Sequence, residues 1–206
     1  MPRGDCMTQH PSDGVRSITT LGTREIYRNR WLRLREDKIL RSNGKEGIYS
    51  VVDKDDCAII LPIEDGRVWL VEQFRYTIQE RALELPQGGW EREIDDPEEL
   101  ARGELKEETG LHAEQMIYLG FLWVAYGFAL QKQHVFLATG LTMKERDPDD
   151  EEHDLIIHSR SLEEFERMML DGSIRDMSTL AAWGLYLSWK RQRSWERGSG
   201  IAEIRE

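Results

Sequence analysis

The sequence predicts an α+β domain in which strands and helices form layers around a hydrophobic core. Two hydrophobic hairpin patterns occupy the first half of the chain, and three helix patterns follow without a regular alternation of strand and helix. Hydrophobic residues make up 39% of the 206 residues, and they include 7 Trp, 6 Tyr and 5 Phe. This apolar content is sufficient for a folded core and excludes global disorder.

Domain boundaries are indicated by length and by local composition. A typical domain has ~150 residues, so this length favours a single core with an extension. Residues 1–22 are rich in Gly, Ser, Thr, Asp and Pro and show no apolar period, which predicts a flexible N-terminal extension. We expect ordered structure to begin near Arg24 and residues 23–206 to form one domain.

Both hairpins are indicated by turn residues between hydrophobic runs. The Asn-Gly pair at residues 43–44 separates runs at residues 31–40 and 48–52, and such a pair favours the positive φ angles of a tight turn. The second hairpin joins apolar runs at residues 58–63 and 68–74. Because these two runs are nearly continuous, they predict strands that are covered on both faces.

Helices are predicted by their start and stop residues. Asp96 followed by Pro97 is typical of a helix start, and Gly110 is typical of the end of the same helix. Ser161 begins a second capping pattern, whose helix ends at Gly172. The remaining predicted elements are an amphipathic helix at residues 177–193 and strands at residues 116–122, 133–137 and 155–158.

The charge balance restricts the partners. The chain has 28 Lys and Arg against 39 Asp and Glu, a formal net charge of −11, which repels polyanions. No apolar run is long enough for a membrane span, and the first residues lack the apolar stretch of an export signal. We therefore expect a cytoplasmic protein that binds neither nucleic acid nor membranes. Its two cysteines, Cys6 and Cys57, predict reduced structural thiols.

Three glutamates in the first capped helix are the strongest chemical signal. Glu104, Glu107 and Glu108 stand at positions i, i+3 and i+4, so their carboxylates project from one patch of the helix. Like charges at this spacing repel, whereas a hard divalent cation such as Mg²⁺ or Mn²⁺ would be bound by them. A solvated acidic face and a purely structural cation site are the two alternative interpretations.

The segment around these glutamates resembles the Nudix box of the Nudix hydrolases. The family pattern begins at Gly89, and its second half is matched by Glu104, Leu105, Glu107, Glu108, Gly110 and Leu111. Two positions depart from it, because Asp95 replaces a Glu and Gly103 replaces an Arg. Residues before and after the box are similar to the branch of ADP-ribose and nucleotide-sugar pyrophosphatases. The resemblance implies an α/β/α sandwich with a mixed sheet and an N-terminal antiparallel hairpin.

The resemblance also implies a reaction and a set of metal ligands. A Nudix nucleoside-diphosphate-sugar pyrophosphatase hydrolyses the diphosphate bridge of ADP-ribose or a related compound, with Mg²⁺ or Mn²⁺ as cofactor. Glu104 and Glu108 would be the principal ligands, Glu107 would share a second metal, and the Gly88 carbonyl would complete the set. Glu107 and Glu108 are accordingly our first candidates for catalytic residues.

Substrate-binding residues are implied in the region before the box. Arg75 is the best local cation for a diphosphate, since its planar donors match phosphate oxygens; the alternative is an exposed salt bridge at a strand end. Trp31, at the start of a predicted strand, would stack on the adenine or else belong to the core. Glu84, directly before the box, is the third candidate for substrate binding.

The general base is sought in the acidic run at residues 147–154. In this branch the base often lies in an acidic loop after the core strands, and the candidates here are Glu151 and Glu152. The alternative is a solvated loop without a catalytic role. His153 lies in the same run, and histidine side chains ordinarily change charge close to neutral pH. A single histidine in a loop is, however, more often simply exposed.

A non-catalytic Nudix-fold module that senses a nucleotide is the main rival hypothesis, and Gly103 and Asp95 are the reasons for it. An RNA-decapping role is also known in the family, but this sequence shows no basic groove that would bind RNA.

The resemblance also implies an oligomeric state. It implies a homodimer in which the early hairpin is exchanged between subunits.

Overall fold

The computed structural model describes residues 17–89, 96–144 and 154–198. The chain divides into two compact units, Met1–Asp53 and Lys54–Glu206, and each is described by itself.

The first unit is an antiparallel sheet of three strands. These are β1 (Ile18–Arg28), β2 (Arg33–Arg41) and β3 (Glu46–Asp53), with β2 paired to both neighbours. The turn between β2 and β3 has Gly44 at φ 78°, and the Gly44 N–H donates to the Arg41 carbonyl at 2.9 Å. The predicted first hairpin is therefore confirmed, including its Asn-Gly turn.

Strand β1 corrects the predicted start of ordered structure. It begins at Ile18, inside the segment expected to be a flexible extension and before Arg24. Every residue of β1 is exposed, so the strand has no buried face that would give its sequence an alternating apolar pattern. Backbone pairing with β2 holds it instead, with an Arg24–Glu36 ion pair of 3.1 Å across the two strands.

The second unit contains a mixed sheet and all three helices. Its elements are β4 (Cys57–Glu64), β5 (Arg67–Arg75), β6 (Glu80–Glu84), β7 (Gln87–Gly88), α1 (Pro97–Thr109), β8 (Leu111–Trp123), β9 (Ala129–Leu130), β10 (Lys132–Met143), β11 (Ile156–Ser161), α2 (Leu162–Leu170) and α3 (Met177–Gly198). The sheet has the order β11-β5-β4-β10-β8, with β6 beside β5 and β7 beside β4. Strand β10 runs parallel to β4 and antiparallel to β8, so the sheet is mixed as predicted.

Helices cover both faces of this sheet. Successive side chains of a strand point to opposite faces, and β4 contributes to two separate hydrophobic cores. Ala58 and Ile60 pack in one core with residues of α1, while Ile59 and Leu61 pack in the other with residues of α2 and α3. The predicted α+β class and the α/β/α sandwich are thus confirmed. In the described part of the chain, no helix is both long and apolar enough to cross a bilayer.

The ends of α1 form as the sequence predicts. The Asp96 side chain accepts the Glu98 N–H at 2.9 Å, which satisfies one of the amide groups left open at a helix start. Gly110 ends the helix at φ 70°, a conformation that glycine adopts without strain. These caps fix where α1 begins and ends.

Gly184 in the interior of α3 gives a first stability prediction. Apart from the backbone of its own helix, no described atom lies within 4 Å of a Cβ built at this position. We expect Gly184→Ala to raise the free energy of unfolding by about 1 kcal/mol, because alanine loses less backbone entropy in a helix. Urea denaturation followed by circular dichroism measures the change. A lower midpoint would contradict the open surroundings of Gly184.

Candidate active site

Two of the three glutamates predicted to bind metal are buried on one side of α1. Glu104 is 5% exposed and Glu108 is 2% exposed, while Glu107 is half-buried. The spacing of four residues places Glu104 and Glu108 one above the other on the helix. Burying a carboxylate is unfavourable unless it is hydrogen-bonded or paired, so this side of α1 is a specialised polar site rather than a solvated acidic face.

The segment β6–β7 supplies the surroundings of both carboxylates. The Gln87 N–H donates to Glu108 Oε2 at 2.9 Å. A Cβ built at Gly88 would lie 2.7 Å from Glu104 Cδ and closer still to Oε2, so this carboxylate packs directly against the glycine backbone. The structure therefore brings together Gly88, Glu104 and Glu108, the residues predicted as the core of a metal site.

The donor chemistry of this site fits a hard divalent cation. Two buried carboxylates beside the backbone of Gly88 offer oxygen ligands, which Mg²⁺ and Mn²⁺ prefer. Within residues 17–89, 96–144 and 154–198, no cluster of three or more His, Cys, Asp or Glu side chains is arranged to hold a metal ion. Glu107 therefore does not complete a three-carboxylate cluster with Glu104 and Glu108 in this conformation.

Arg75 and Glu84 form an ion pair beside the acidic helix. Arg75 Nη2 and Nε lie 2.6 Å and 2.9 Å from Glu84 Oε1. Burial raises the pKa of Glu84 above its usual range; the charge of Arg75 opposes this shift, and the charge of Asp176 adds to it. The salt bridge considered for Arg75 is thus present, but its partner is the buried Glu84 and not a solvated acid.

A network of amide and hydroxyl groups extends from this pair to α3. Gln87 Nε2 donates to Glu84 Oε2 at 3.0 Å and to Asp176 Oδ2 at 3.1 Å. Asp176 in turn accepts the N–H and the hydroxyl of Thr179 at 2.8 and 2.7 Å. Sequence reasoning missed these residues. An Asp directly before a predicted helix signals a cap, but nothing in the sequence connects it to Gln87.

Of the two departures from the family pattern, the structure describes only Gly103. Gly103 lies inside α1, where the family has an arginine. Arg102 does not substitute for it, since its guanidinium donates to Glu98 at 2.8 Å and to the Ala113 carbonyl at 2.8 Å. Asp95, the other departure, lies outside the described residues, as do the base candidates Glu151 and Glu152.

Trp31 belongs to the first unit and is placed differently from the expectation. It lies in the turn before β2 rather than in a strand, and it is 49% exposed, so it is not a core residue. The Arg30 guanidinium lies 4.2 Å from the centre of its ring, and the Trp31 N–H donates to Asn29 Oδ1 at 2.9 Å. A half-exposed indole retains ring surface that can stack on a planar group.

Two models of known protein families match the chain. The family model described as NUDIX domain matches residues 54–178, and the nucleoside diphosphate sugar hydrolase N-terminal domain matches residues 18–52. The chain therefore belongs to the Nudix family, and the class predicted from the box, a Nudix pyrophosphatase, is confirmed.

Individual relatives cover most of the chain. It is 31% identical over 177 residues to the ADP-ribose pyrophosphatase of Mycobacterium tuberculosis (85% of this chain, 83% of the relative). It is 30% identical over 167 residues to the methanol dehydrogenase activator of Bacillus methanolicus (79% and 89%). A solved structure described as an ADP compounds hydrolase superposes with a TM-score of 0.74 at 23% identity, covering 92% of this chain and 99% of that one, which supports the fold.

Proposed function

We propose that this protein is a metal-dependent hydrolase that cleaves the diphosphate bridge of ADP-ribose or a related nucleoside diphosphate sugar. The products are a nucleoside monophosphate and a sugar phosphate. The observation that carries the proposal is the burial of Glu104 and Glu108 against the backbone of Gln87 and Gly88. ADP-ribose is favoured because relatives at 27% and 31% identity carry the name ADP-ribose pyrophosphatase.

Glu104, Glu108 and the Gly88 carbonyl would hold Mg²⁺ or Mn²⁺, with Glu107 as a further ligand. When bound, the cation supplies charge neutralisation at the diphosphate and lowers the pKa of a coordinated water. The protein itself contributes the fixed orientation of its carboxylates. The Gln87 N–H donates to Glu108 Oε2 and thereby restrains the orientation of this carboxylate.

Arg75 is proposed to bind the diphosphate in an orientation set by Glu84. A guanidinium has five N–H donors, and Glu84 Oε1 accepts from only two of its nitrogens. The remaining donors match the spacing of phosphate oxygens. Because Glu84 is buried and held by Gln87, Arg75 is restrained before the substrate arrives, which reduces the conformational entropy lost on binding.

The other parts of the proposal come from the family resemblance. Glu151 or Glu152 accepts the proton of the attacking water, and Trp31 stacks on the nucleobase. The protein acts as a cytoplasmic homodimer on small molecules, and its net charge of −11 disfavours nucleic-acid substrates.

A nucleotide sensor without activity is the second candidate, and Gly103 is the observation that favours it. The position held by an arginine in the family lacks a side chain here, and Arg102 is engaged elsewhere. A sensor binds the nucleotide sugar but does not release products.

Product analysis separates the two candidates. The full chain is incubated with a panel of nucleoside diphosphate sugars in Mg²⁺, Mn²⁺ or EDTA, and products are resolved by ion-exchange chromatography. We expect AMP and ribose 5-phosphate from ADP-ribose with either metal and none with EDTA. Binding without release of products by any member of the panel would contradict the hydrolase and support the sensor.

A further inference from the structure

We propose that Gln87 is a positioning residue, which connects Asp176 at the start of α3 to Glu108 in the metal site. This inference rests on the proposed function, because it assigns the means by which Glu108 is oriented. It concerns a side chain outside the glutamates of the box, and its contact with Asp176, which lies 89 residues further along the chain.

The side-chain amide and the backbone N–H of Gln87 both have defined hydrogen-bond partners. Its side-chain Nε2 contacts Glu84 and Asp176 at 3.0 and 3.1 Å, and its Oε1 accepts from Gln133 Nε2 at 2.8 Å. Its backbone N–H donates to Glu108 at 2.9 Å. Side-chain bonds to three separate elements thus restrain the residue whose main chain holds Glu108.

Only an amide of this length satisfies the three side-chain contacts. The group must donate twice, to the carboxylates of Glu84 and Asp176, and accept once, from Gln133. A carboxylate at position 87 has no donors and would add a negative charge to two others, while an apolar side chain provides neither function. The chemistry of the site therefore specifies glutamine rather than polarity in general.

Asp176 is the anchor of the network on α3. A single oxygen, Oδ2, accepts from Gln87 Nε2 and from both the N–H and the hydroxyl of Thr179. The same Thr179 Oγ1 accepts the Leu85 N–H at 3.0 Å, and Thr179 is completely buried. The first turn of α3 is thereby bonded both to the residue after Glu84 and to Gln87 itself.

Gln133 shows that the network imposes an orientation on its neighbours. This residue is 4% exposed, and its Nε2 is directed at Gln87. Its Oε1 has no hydrogen-bond partner in the part of the chain that the structure describes. A buried acceptor without a partner costs about 1–3 kcal/mol, so the amide is held in this orientation by its contact with Gln87.

The test compares Gln87→Met, Asp176→Leu and Asp176→Asn in the full chain. Methionine keeps the length of Gln87 and removes its polar bonds, and leucine removes those of Asp176. Because all three bonds of Asp176 use one oxygen, asparagine can keep them through its carbonyl oxygen. Mn²⁺ affinity is measured by isothermal titration calorimetry, and kcat and KM for ADP-ribose are measured separately.

We expect Gln87→Met and Asp176→Leu each to weaken Mn²⁺ binding and to lower kcat by about tenfold, as for residues that orient a metal ligand. Asp176→Asn should stay within about twofold of wild type, since the bonds rather than the charge position Glu108. The double variant Gln87→Met with Asp176→Leu should be no worse than Gln87→Met alone, because Gln87→Met already removes the bond to Asp176. Unchanged Mn²⁺ affinity and kcat in Gln87→Met would overturn the proposal, as would additive losses in the double variant.

Two controls separate this inference from its premise. Asp171→Leu removes an equivalent aspartate turn, in which Asp171 Oδ1 accepts the Ser173 N–H at 2.9 Å, at the end of α2 and outside the network. It should leave Mn²⁺ affinity and kcat unchanged, and equal losses in Asp171→Leu and Asp176→Leu would overturn the positioning role. A wild-type protein that neither binds Mn²⁺ nor hydrolyses ADP-ribose refutes the proposed function and the role of Gln87 with it. Normal wild-type activity with unaffected network variants refutes the role of Gln87 alone.

Discussion

Glu108→Gln is expected to lower the metal-dependent turnover of ADP-ribose by roughly 10³-fold, because it removes one of the two buried charges that would hold the cation. The substitution keeps the size of the side chain, and its amide oxygen can still accept the Gln87 N–H that now bonds to Glu108 at 2.9 Å. The fold and the orientation of α1 are therefore retained while the charge is lost. Steady-state kinetics with Mg²⁺ and with Mn²⁺ measure the effect, and circular dichroism checks the fold.

Glu98→Gln is the matched control on the same helix. It changes the net charge by the same amount, but Glu98 is partly exposed and pairs with Arg102 at 2.8 Å. An exposed i,i+4 pair contributes only about 0.3–0.5 kcal/mol, so turnover should remain within about twofold of wild type. Equal losses in Glu98→Gln and Glu108→Gln would mean that the general charge of α1, rather than a specific ligand, is required.

Gly88→Ala is the second change with a large expected effect. The new Cβ would lie 2.7 Å from Glu104 Cδ, so the carboxylate must move away from the backbone of β7. Displacing a catalytic group by about 1 Å can lower the rate by about 100-fold, and we expect a loss of kcat/KM of that order. Mn²⁺ affinity should fall in the same variant, because Glu104 and the carbonyl of residue 88 are both proposed ligands.

A shorter acid at position 104 gives a direct check on this explanation. In Gly88→Ala combined with Glu104→Asp, the side chain is one methylene shorter and the steric conflict with the new Cβ is relieved. The double variant should then have a higher Mn²⁺ affinity than Gly88→Ala alone. Gly184→Ala, where the new Cβ meets no described atom outside its own helix backbone, serves as the control and should retain full activity. Wild-type activity in Gly88→Ala would show that Glu104 is not a ligand.

Elements whose signals are local were predicted well from the sequence. The first hairpin depends on an Asn-Gly turn, and the ends of α1 depend on Asp96 and Gly110. The turn and both helix caps form as expected. Strand β1 was missed because its residues are exposed throughout and it is held by pairing with β2. Apolar periodicity indicates a buried face, so a strand with no buried face cannot be detected from it.

In the candidate site, too, the local geometry could be predicted from the sequence, whereas the burial of each residue could not. Helical spacing alone places Glu104, Glu107 and Glu108 on one patch of α1, since that geometry is a property of neighbouring residues. Which of them are buried was decided by the packing of β7 against the helix, which covers Glu104 and Glu108 and leaves Glu107 half-buried.

The sequence by itself therefore determined the family, the capped helix and the spacing of its acids. Only the tertiary structure decided that Arg75 is held by Glu84 and that Gln87 connects Asp176 to Glu108. The physical reason is the range of the interactions involved. Caps, turns and helical spacing act between residues a few positions apart, whereas hydrogen bonds between Gln87, Glu108 and Asp176 require strands and helices distant in sequence to have packed into one unit.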